Sequence, residues 1–498
     1  MKGFIKTILI LLFLFSVTAA SSFEKDYRKG IDYFYNLNFD KAKKYFINAQ
    51  KISPADPRPL HRISQIYLWT YLGSKDTEAY RKFFLVSDTV LALIDTTGIF
   101  EGKEYLKDYW FGNAYAARAI AFSTQGEMMN AFWATKKAMG YYEDALNNKN
   151  DFYDALLGIG IFEYALDFIP PVFKWALDLT GLEAGKKQGF LKIKKAYERG
   201  NNTKTEAAFH LGKLYLEFLA EYDNAQKLFR SLLKKYPENS LFLFHLALAQ
   251  FNNAGLEKAR KTLIEILRLN NQYFLQTNSF AYFLLGDIEF KENHFDKALV
   301  YYQKFIENAV SVDYTGIANL RIALAYKFLN NDQGYKKHLQ LAGYGNLDIP
   351  EDNYAKEFSE ILFDSNLTAI ELKIIKAQNL LFTKKYKETV NLLKPIINKV
   401  KSNDWKGKAI LTLAEALLHL KKYNDAFNLT SEAISLEYKF EKWLYPYALY
   451  LKSLLYFENK NFKESVKYLN KAVEENNYYM KNKILAKINN LKLKLGIF

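Results

Sequence analysis

Six histidines are the first residues to test for chemistry: His61, His210, His245, His294, His338 and His419. A zinc site draws three or four ligands from the protein, and none of these histidines stands in an HExxH arrangement. His210 and His245 hold equivalent places in two successive repeats, so their helices are expected to be neighbours; two imidazoles alone do not make a metal site. Gly181-Leu182-Glu183-Ala184-Gly185-Lys186-Lys187 has the glycines and lysine of a phosphate-binding loop. Three residues instead of four separate its glycines, Lys187 stands where a serine or threonine belongs, and no strand precedes it. There is no GxSxG motif, and carboxylates are too common along the helices to nominate an acid–base couple. The chain has no cysteine, which excludes disulfides, thiolate metal sites, cysteine nucleophiles and a lipid-modified N-terminal cysteine. The expectation is a protein without catalytic residues, metal or cofactor, and not an enzyme.

What remains is a surface, and the elements that present it are helices. The 498 residues exceed a single compact core and favour several domains or a repeat array. Proline is scarce at 9 residues, while Tyr and Phe number 37 and 39, which points to long helices with aromatic packing. The net charge of +15 comes from lysines interleaved with Glu and Asp along the chain. That pattern describes solvated helix faces and predicts no nucleic-acid partner.

One four-residue pattern recurs: an aromatic, two polar residues, then a small residue. It appears at Phe39-Asp40-Lys41-Ala42, Tyr222-Asp223-Asn224-Ala225, Phe295-Asp296-Lys297-Ala298, Tyr386-Lys387-Glu388-Thr389, Tyr423-Asn424-Asp425-Ala426 and Phe462-Lys463-Glu464-Ser465, with Leu256-Glu257-Lys258-Ala259 a weaker copy. Each copy reads as a helix start. Asp or Asn after the aromatic is expected to cap the first turn, acidic residues suit the positive end of the helix dipole, and the small residue lets the preceding helix approach. Amphipathic helices flank each copy, spaced by a period near 34 residues. Paired helices at this period resemble the tetratricopeptide repeat. Gly30, Tyr33, Ala42, Phe46, Ala49 and Pro54 carry the resemblance in one unit; Leu211, Gly212, Tyr215, Ala225, Phe229 and Pro237 carry it in another; Tyr282, Leu285, Gly286, Ala298 and Tyr302 carry it in a third. The leading tryptophan position departs from the family pattern, holding Asp26 and Ala208 in the first two.

The resemblance implies an all-α, right-handed solenoid of helix pairs. The expected organisation is a signal peptide over 1–19, N-terminal repeats over 20–149, an atypical insert over 150–204 with an elbow at Pro170-Pro171, a central array over 205–346, a linker over 347–367 rich in Asp348, Pro350, Glu351 and Asp352, and a C-terminal array over 368–498. A last helix over about 479–496 is expected to cap the array. Residues 150–240, with Leu157-Gly158-Ile159-Gly160-Ile161-Phe162, Pro170-Pro171 and Leu179-Thr180-Gly181-Leu182, are similar to the inclusion body clearance family and bacterial relatives. In tetratricopeptide proteins the first helix of each pair lines a concave groove. By that resemblance the partner-binding groove is Phe209, Lys213, Phe244, Leu248, Phe251, Phe280, Phe283, Asp287 and Phe290, a lining suited to an apolar peptide or helix. The same aromatics equally suit the inside of a tight superhelix.

The N-terminus reads as an address. Lys2 and Lys6 precede an apolar run from Ile8 to Val17, followed by Thr18, Ala19, Ala20, Ser21 and Ser22. A basic start, a short apolar stretch and small residues make a secretory signal peptide, with cleavage near Ala19. The expected protein is exported, periplasmic or associated with the outer membrane. It is expected to hold a protein or peptide partner. The alternative is peripheral membrane or lipid contact through the apolar segment 155–182 or the basic C-terminal helix.

Overall fold

The computed structural model describes residues 21–166 and 185–498, and among these there is helix and no strand. They form two compact units. One holds the residues up to 212 together with 227–242 and 271–275; the other holds 213–226, 243–270 and 276–498. The expected signal peptide, the Pro170-Pro171 elbow and most of the phosphate-loop lookalike lie outside the described residues.

Helices alternate along the chain in pairs. In the first unit, residues 21–35 pair with Phe39–Ile52, Pro57–Ser74 with Thr77–Thr96, and Glu104–Thr124 with Met128–Asn148. In the second, Thr315–Phe328 pairs with Asp332–Leu341, Ala369–Phe382 with Tyr386–Leu393, Asn403–His419 with Tyr423–Ser435, and Leu444–Glu458 with Phe462–Glu474. The stacking follows from two residue choices. The small residue of each recurring tetrapeptide is fully buried: Ala42, Ala225, Ala259, Ala298, Thr389, Ala426 and Ser465 all have 0% exposure. A glycine on the first helix of a pair also faces an aromatic ring on the second. A Cβ on Gly30 would sit 2.5 Å from the Phe46 ring, and one on Gly112 2.7 Å from the Tyr142 ring. Without those side chains the helices close to ring contact and bury the aromatic between them.

The turn inside each pair is equally regular and differs from expectation. The residue two places before the aromatic takes left-handed backbone: Leu37, Ala220, Ala254, Asn293, Lys384, Lys421 and Lys460 have φ between 42° and 69° with the other such residues. The residue between it and the aromatic often donates its N–H five places back, as Asn38 does to Tyr33, His294 to Glu289, Lys422 to Leu417 and Asn461 to Tyr456. This is the Schellman arrangement that satisfies the last carbonyls of a helix. The aromatic is thus the first helical residue, and the Asp or Asn after it is not the cap. The cap is the residue before the aromatic, and its side chain accepts a backbone N–H at Asn38 and Asn461 but not at His294, Lys385 or Lys422. Asp40 and Asp296 stand in the first turn, where an acidic side chain suits the helix dipole.

One other segment departs from the sequence reading. Residues 347–367 hold a helix, Pro350–Ser365, that buries Asp352, Ala355, Phe358 and Leu362. The proline and acidic residues that suggest a loop are a helix start, with Pro350 in the first turn and Glu351 and Asp352 behind it. The Asp352 carboxylate accepts the backbone N–H of Ile317 at 2.8 Å and of Asn346 at 2.9 Å, which ties the helix to its neighbours. In the segment 150–204, the helices Ala155–Leu166 and Lys186–Arg199 cross closely: a Cβ on Gly189 would lie 2.6 Å from the Gly160 carbonyl oxygen. Glu163 pairs with Lys192 across the crossing. Asp154, buried at 2% exposure, accepts the backbone N–H groups of Asn201, Asn202 and Thr203 at 2.9, 2.9 and 3.1 Å and so fixes the start of Lys204–Glu217.

His61 illustrates how the first unit is closed to water. Its ring is 2% exposed and lies edge-on to Trp110, with centroids 5.3 Å apart. Burial, aided by the Arg62 charge, lowers its pKa to about 3. An unfolded chain protonates this histidine below about pH 6.5. Between pH 6.5 and 3 the unfolded state therefore binds more protons, and stability falls as pH falls through that window, by up to about 1.4 kcal/mol per pH unit. The thermal midpoint of the parent should drop more between pH 7 and 4.5 than that of His61→Leu; parallel curves would refute the assignment.

Candidate interaction surface

In the second unit, aromatic rings of two successive first helices meet, and rings from the second helix Phe295–Glu307 and from Tyr314 pack against them. Phe280 lies 6.3 Å from Phe244 and 5.2 Å from Tyr314, and Phe283 lies 5.1 Å from Phe305 and 5.8 Å from Tyr302. The contacts are tilted or edge-to-face, the geometry that aromatic quadrupoles favour. Phe244, Leu248, Phe280, Phe283 and Asp287 are half-buried, as is Lys213. Phe251 and Phe290 are buried at 9% and 1% exposure. The Phe382 ring covers Phe251 at 5.0 Å, and Phe290 packs edge-on to Phe295 at 5.2 Å. These two side chains belong to the core and are not available as groove lining. Phe209 is half-buried in the first unit, 5.4 Å from Phe242. Helical periodicity places all of these residues on related faces, yet it cannot tell which face a later helix covers. Phe382 stands 131 residues from Phe251.

A polar cluster adjoins the row. Asp287 accepts the Tyr302 hydroxyl at 2.6 Å and lies 3.8 Å from the Arg321 Nε. Lys291 Nζ bonds Asn379 Oδ1 at 3.3 Å. Burial first, then the Arg321 charge, brings the Lys291 pKa down to about 8. Beside it is a cleft of about 480 Å³ lined by Ala254–Lys258, Lys291–His294, Leu380, Thr383 and Lys385. Glu289, Glu292 and His294 bring ligand-type atoms within 4.8 Å of one another there. Arg260 already occupies that space: its Nη1 lies 2.8 Å from Glu289, its other Nη pairs with Glu292, and His294 Nδ1 sits 3.0 Å from Glu289. A cation would have to displace the guanidinium, so the group reads as an ion network built around Arg260. Sequence reasoning missed it because Arg260 comes from the preceding repeat. His210 belongs to the first unit and His245 to the second.

Residues 446–479 match the model of the tetratricopeptide repeat, a range that coincides with the last helix pair. The chain is a tetratricopeptide-repeat protein. Residues 127–311 of this repeat protein match a second model, described as Iml2/Tetratricopeptide repeat protein 39, which contains the 150–240 stretch singled out above. No curated protein matches the sequence. Among solved structures, the repeat protein is similar to pilF of Pseudomonas aeruginosa, at 16% identity over 52% of this chain and 100% of that one, with a TM-score of 0.35. It is also similar to yeast Tom70, at 15% identity over 95% and 97% of the two chains, with a TM-score of 0.20. A third is the TPR2AB domain of yeast Sti1 in its pHSP90 complex, at 14% identity over 59% and 100%, with a TM-score of 0.23. Tetratricopeptide folds are commonly protein-interaction scaffolds and generally not catalytic.

Proposed function

We propose that this repeat protein is an exported, non-enzymatic scaffold that holds a protein or peptide partner through the aromatic row of its second unit. The observation that carries the reading is the half-buried series Phe244, Phe280 and Phe283, next to the hydrogen-bonded Asp287. Half-buried rings keep area to bury against a docked helix or peptide even where, as with Phe283, they also pack on the core, whereas Phe251 and Phe290 keep almost none. Aromatic side chains of this kind dominate the energy of many protein interfaces. Export rests on the leader-like residues 2–22. No helix among the described residues is long and apolar enough to cross a membrane.

The test is affinity capture from a cell-envelope extract by the chain starting at Ala20. The parent should recover a specific partner, and Phe244→Ala/Phe283→Ala should recover at least about tenfold less while keeping its helical signal, as expected when interface anchors worth ~1.4 kcal/mol or more are removed. Unfolding of that variant would place both rings in the core and remove the groove; undiminished capture would move the binding surface elsewhere.

A further inference from the structure

The cleft beside Lys291 brings together pieces of three helix pairs of the second unit. Leu256–Leu269 contributes its first turn, Leu275–Lys291 its last residue and the turn that follows, and Ala369–Phe382 its end and the residues leading into Tyr386–Leu393. The volume of about 480 Å³ lies in the range of small-molecule sites. Like charges repel, yet Lys258, Lys291 and Lys385, one from each pair, all line this one cleft.

The carboxylates of the cleft do not answer these lysines. Arg260 lies 3.5 Å from Glu257 and pairs with Glu292, while Lys261 lies 3.6 Å from Glu257 and His294 3.8 Å from Glu292. Lys258, Lys291 and Lys385 have no ion-pair partner among the described residues. Half-buried Lys291 has the neutral Asn379 Oδ1 at 3.3 Å and the face of the Phe382 ring at 5.2 Å. Asp287, one turn back on the same helix, is engaged by Tyr302 and Arg321. Asn293 Oδ1 accepts the Asn379 Nδ2 at 2.9 Å, which leaves the Asn293 amide N–H groups to donate elsewhere. Leu380 adds an apolar wall. A carboxylate ligand is best met by the planar fork of an arginine, and Arg260 is engaged already. Three separate ammonium groups, each a point charge with donors in several directions, suit the spread oxygens of a phosphoryl group.

We propose that this cleft binds a small phosphate-bearing molecule, with Lys258, Lys291 and Lys385 around the phosphoryl oxygens, Asn293 as a further donor and Leu380 beside the remainder of the ligand. One bound anion would then tie three helix pairs together and relieve the repulsion among their lysines. The cleft is separate from the aromatic rings, so the proposal stands whether or not that row holds a partner.

Calorimetric titration of the full chain with inorganic pyrophosphate, in metal-free buffer of low salt, tests this. The parent should bind at one saturable site. Lys291→Gln and Lys258→Gln/Lys385→Gln should each weaken binding at least about tenfold, the loss expected when a charge-assisted hydrogen bond is removed. The double variant changes exposed residues only and so keeps the fold even if Lys291→Gln does not. Lys401→Gln/Lys439→Gln removes the same charge from exposed positions outside the cleft and should weaken binding less than about twofold. Equal losses in both double variants, or no saturable binding by the parent, would leave only diffuse surface charge and overturn the site. Citrate bound as tightly as pyrophosphate would overturn the phosphoryl class. Vesicles of an anionic phospholipid, added as competitor, separate the sources: displacement of pyrophosphate supports a lipid headgroup as the phosphoryl group, and no displacement supports a soluble phosphate compound.

Discussion

Lys408→Met should cost the chain about 3–5 kcal/mol of stability, the penalty typical of stranding one member of a buried ion pair. Glu441 is 1% exposed, and its carboxylate is held by Lys408 Nζ, by Trp443 Nε1 and by the Tyr354 hydroxyl at 2.9 Å. Lys408 is itself 7% exposed, with its ammonium 4.5 Å from the centre of the Trp405 ring and 4.6 Å from that of Phe358. Removing the lysine leaves a carboxylate without counter-charge in a site that water does not reach. Burial first, then the Glu441 charge, raises the Tyr354 hydroxyl pKa well above its ordinary value, so Tyr354 stays a neutral hydrogen-bond donor and brings no positive charge to the carboxylate. Lys408→Met/Glu441→Leu should regain most of the loss, because an apolar pair of similar volume carries no desolvation cost. Urea unfolding of the single and double variants decides it; a single variant within 1 kcal/mol of the parent, by the same reasoning, would show that the site is wet.

Gly286→Ala should destabilise the chain by about 1–3 kcal/mol, the usual cost of overpacking. Two effects oppose each other. Alanine in place of glycine within a helix gains up to about 1 kcal/mol through backbone entropy. Against this, the new Cβ would lie 2.7 Å from the Tyr302 ring, which is 0% exposed and tethered by its hydroxyl to Asp287 at 2.6 Å. The ring cannot withdraw without losing that hydrogen bond, so the clash outweighs the propensity gain. Gly140, where an added Cβ meets nothing within 4 Å, is the control: there the same substitution should stabilise.

The repeat was legible because its determinants are local. The aromatic, the small residue three places on and, in three copies, a glycine twelve or thirteen places before that small residue appear in the same order, and each glycine has the expected contact: Gly30 with Phe46, Gly212 with Phe229 and Gly286 with Tyr302. The turn chemistry was less legible, since left-handed backbone at Lys384, Lys421 and Lys460 leaves no glycine signature to read. The segment 347–367 was misread because a helix beginning Pro-Glu-Asp has the composition of a loop. The site was the least legible part. Phe251 and Phe283 stand on equivalent faces of adjacent repeats, yet Phe382 covers one and not the other. Likewise Arg260, Glu289 and His294 meet through stacking of two repeats, and Tyr479 meets Tyr354 from 125 residues away. Such pairings depend on how the helix pairs stack, which a repeat pattern does not specify.

Everything above depends on helix pairs that stack in series and share buried side chains with their immediate neighbours. Native-state hydrogen exchange on the Gly286→Ala chain tests this most directly. In a stack of nearest-neighbour units, protection should fall most in Gln276–Glu307, less in the adjoining pairs, and least in Leu444–Glu474 at the end of the chain. Uniform loss across all helices, or loss confined to the turn around residue 286 with Ala298–Phe305 still protected, would contradict the shared spine.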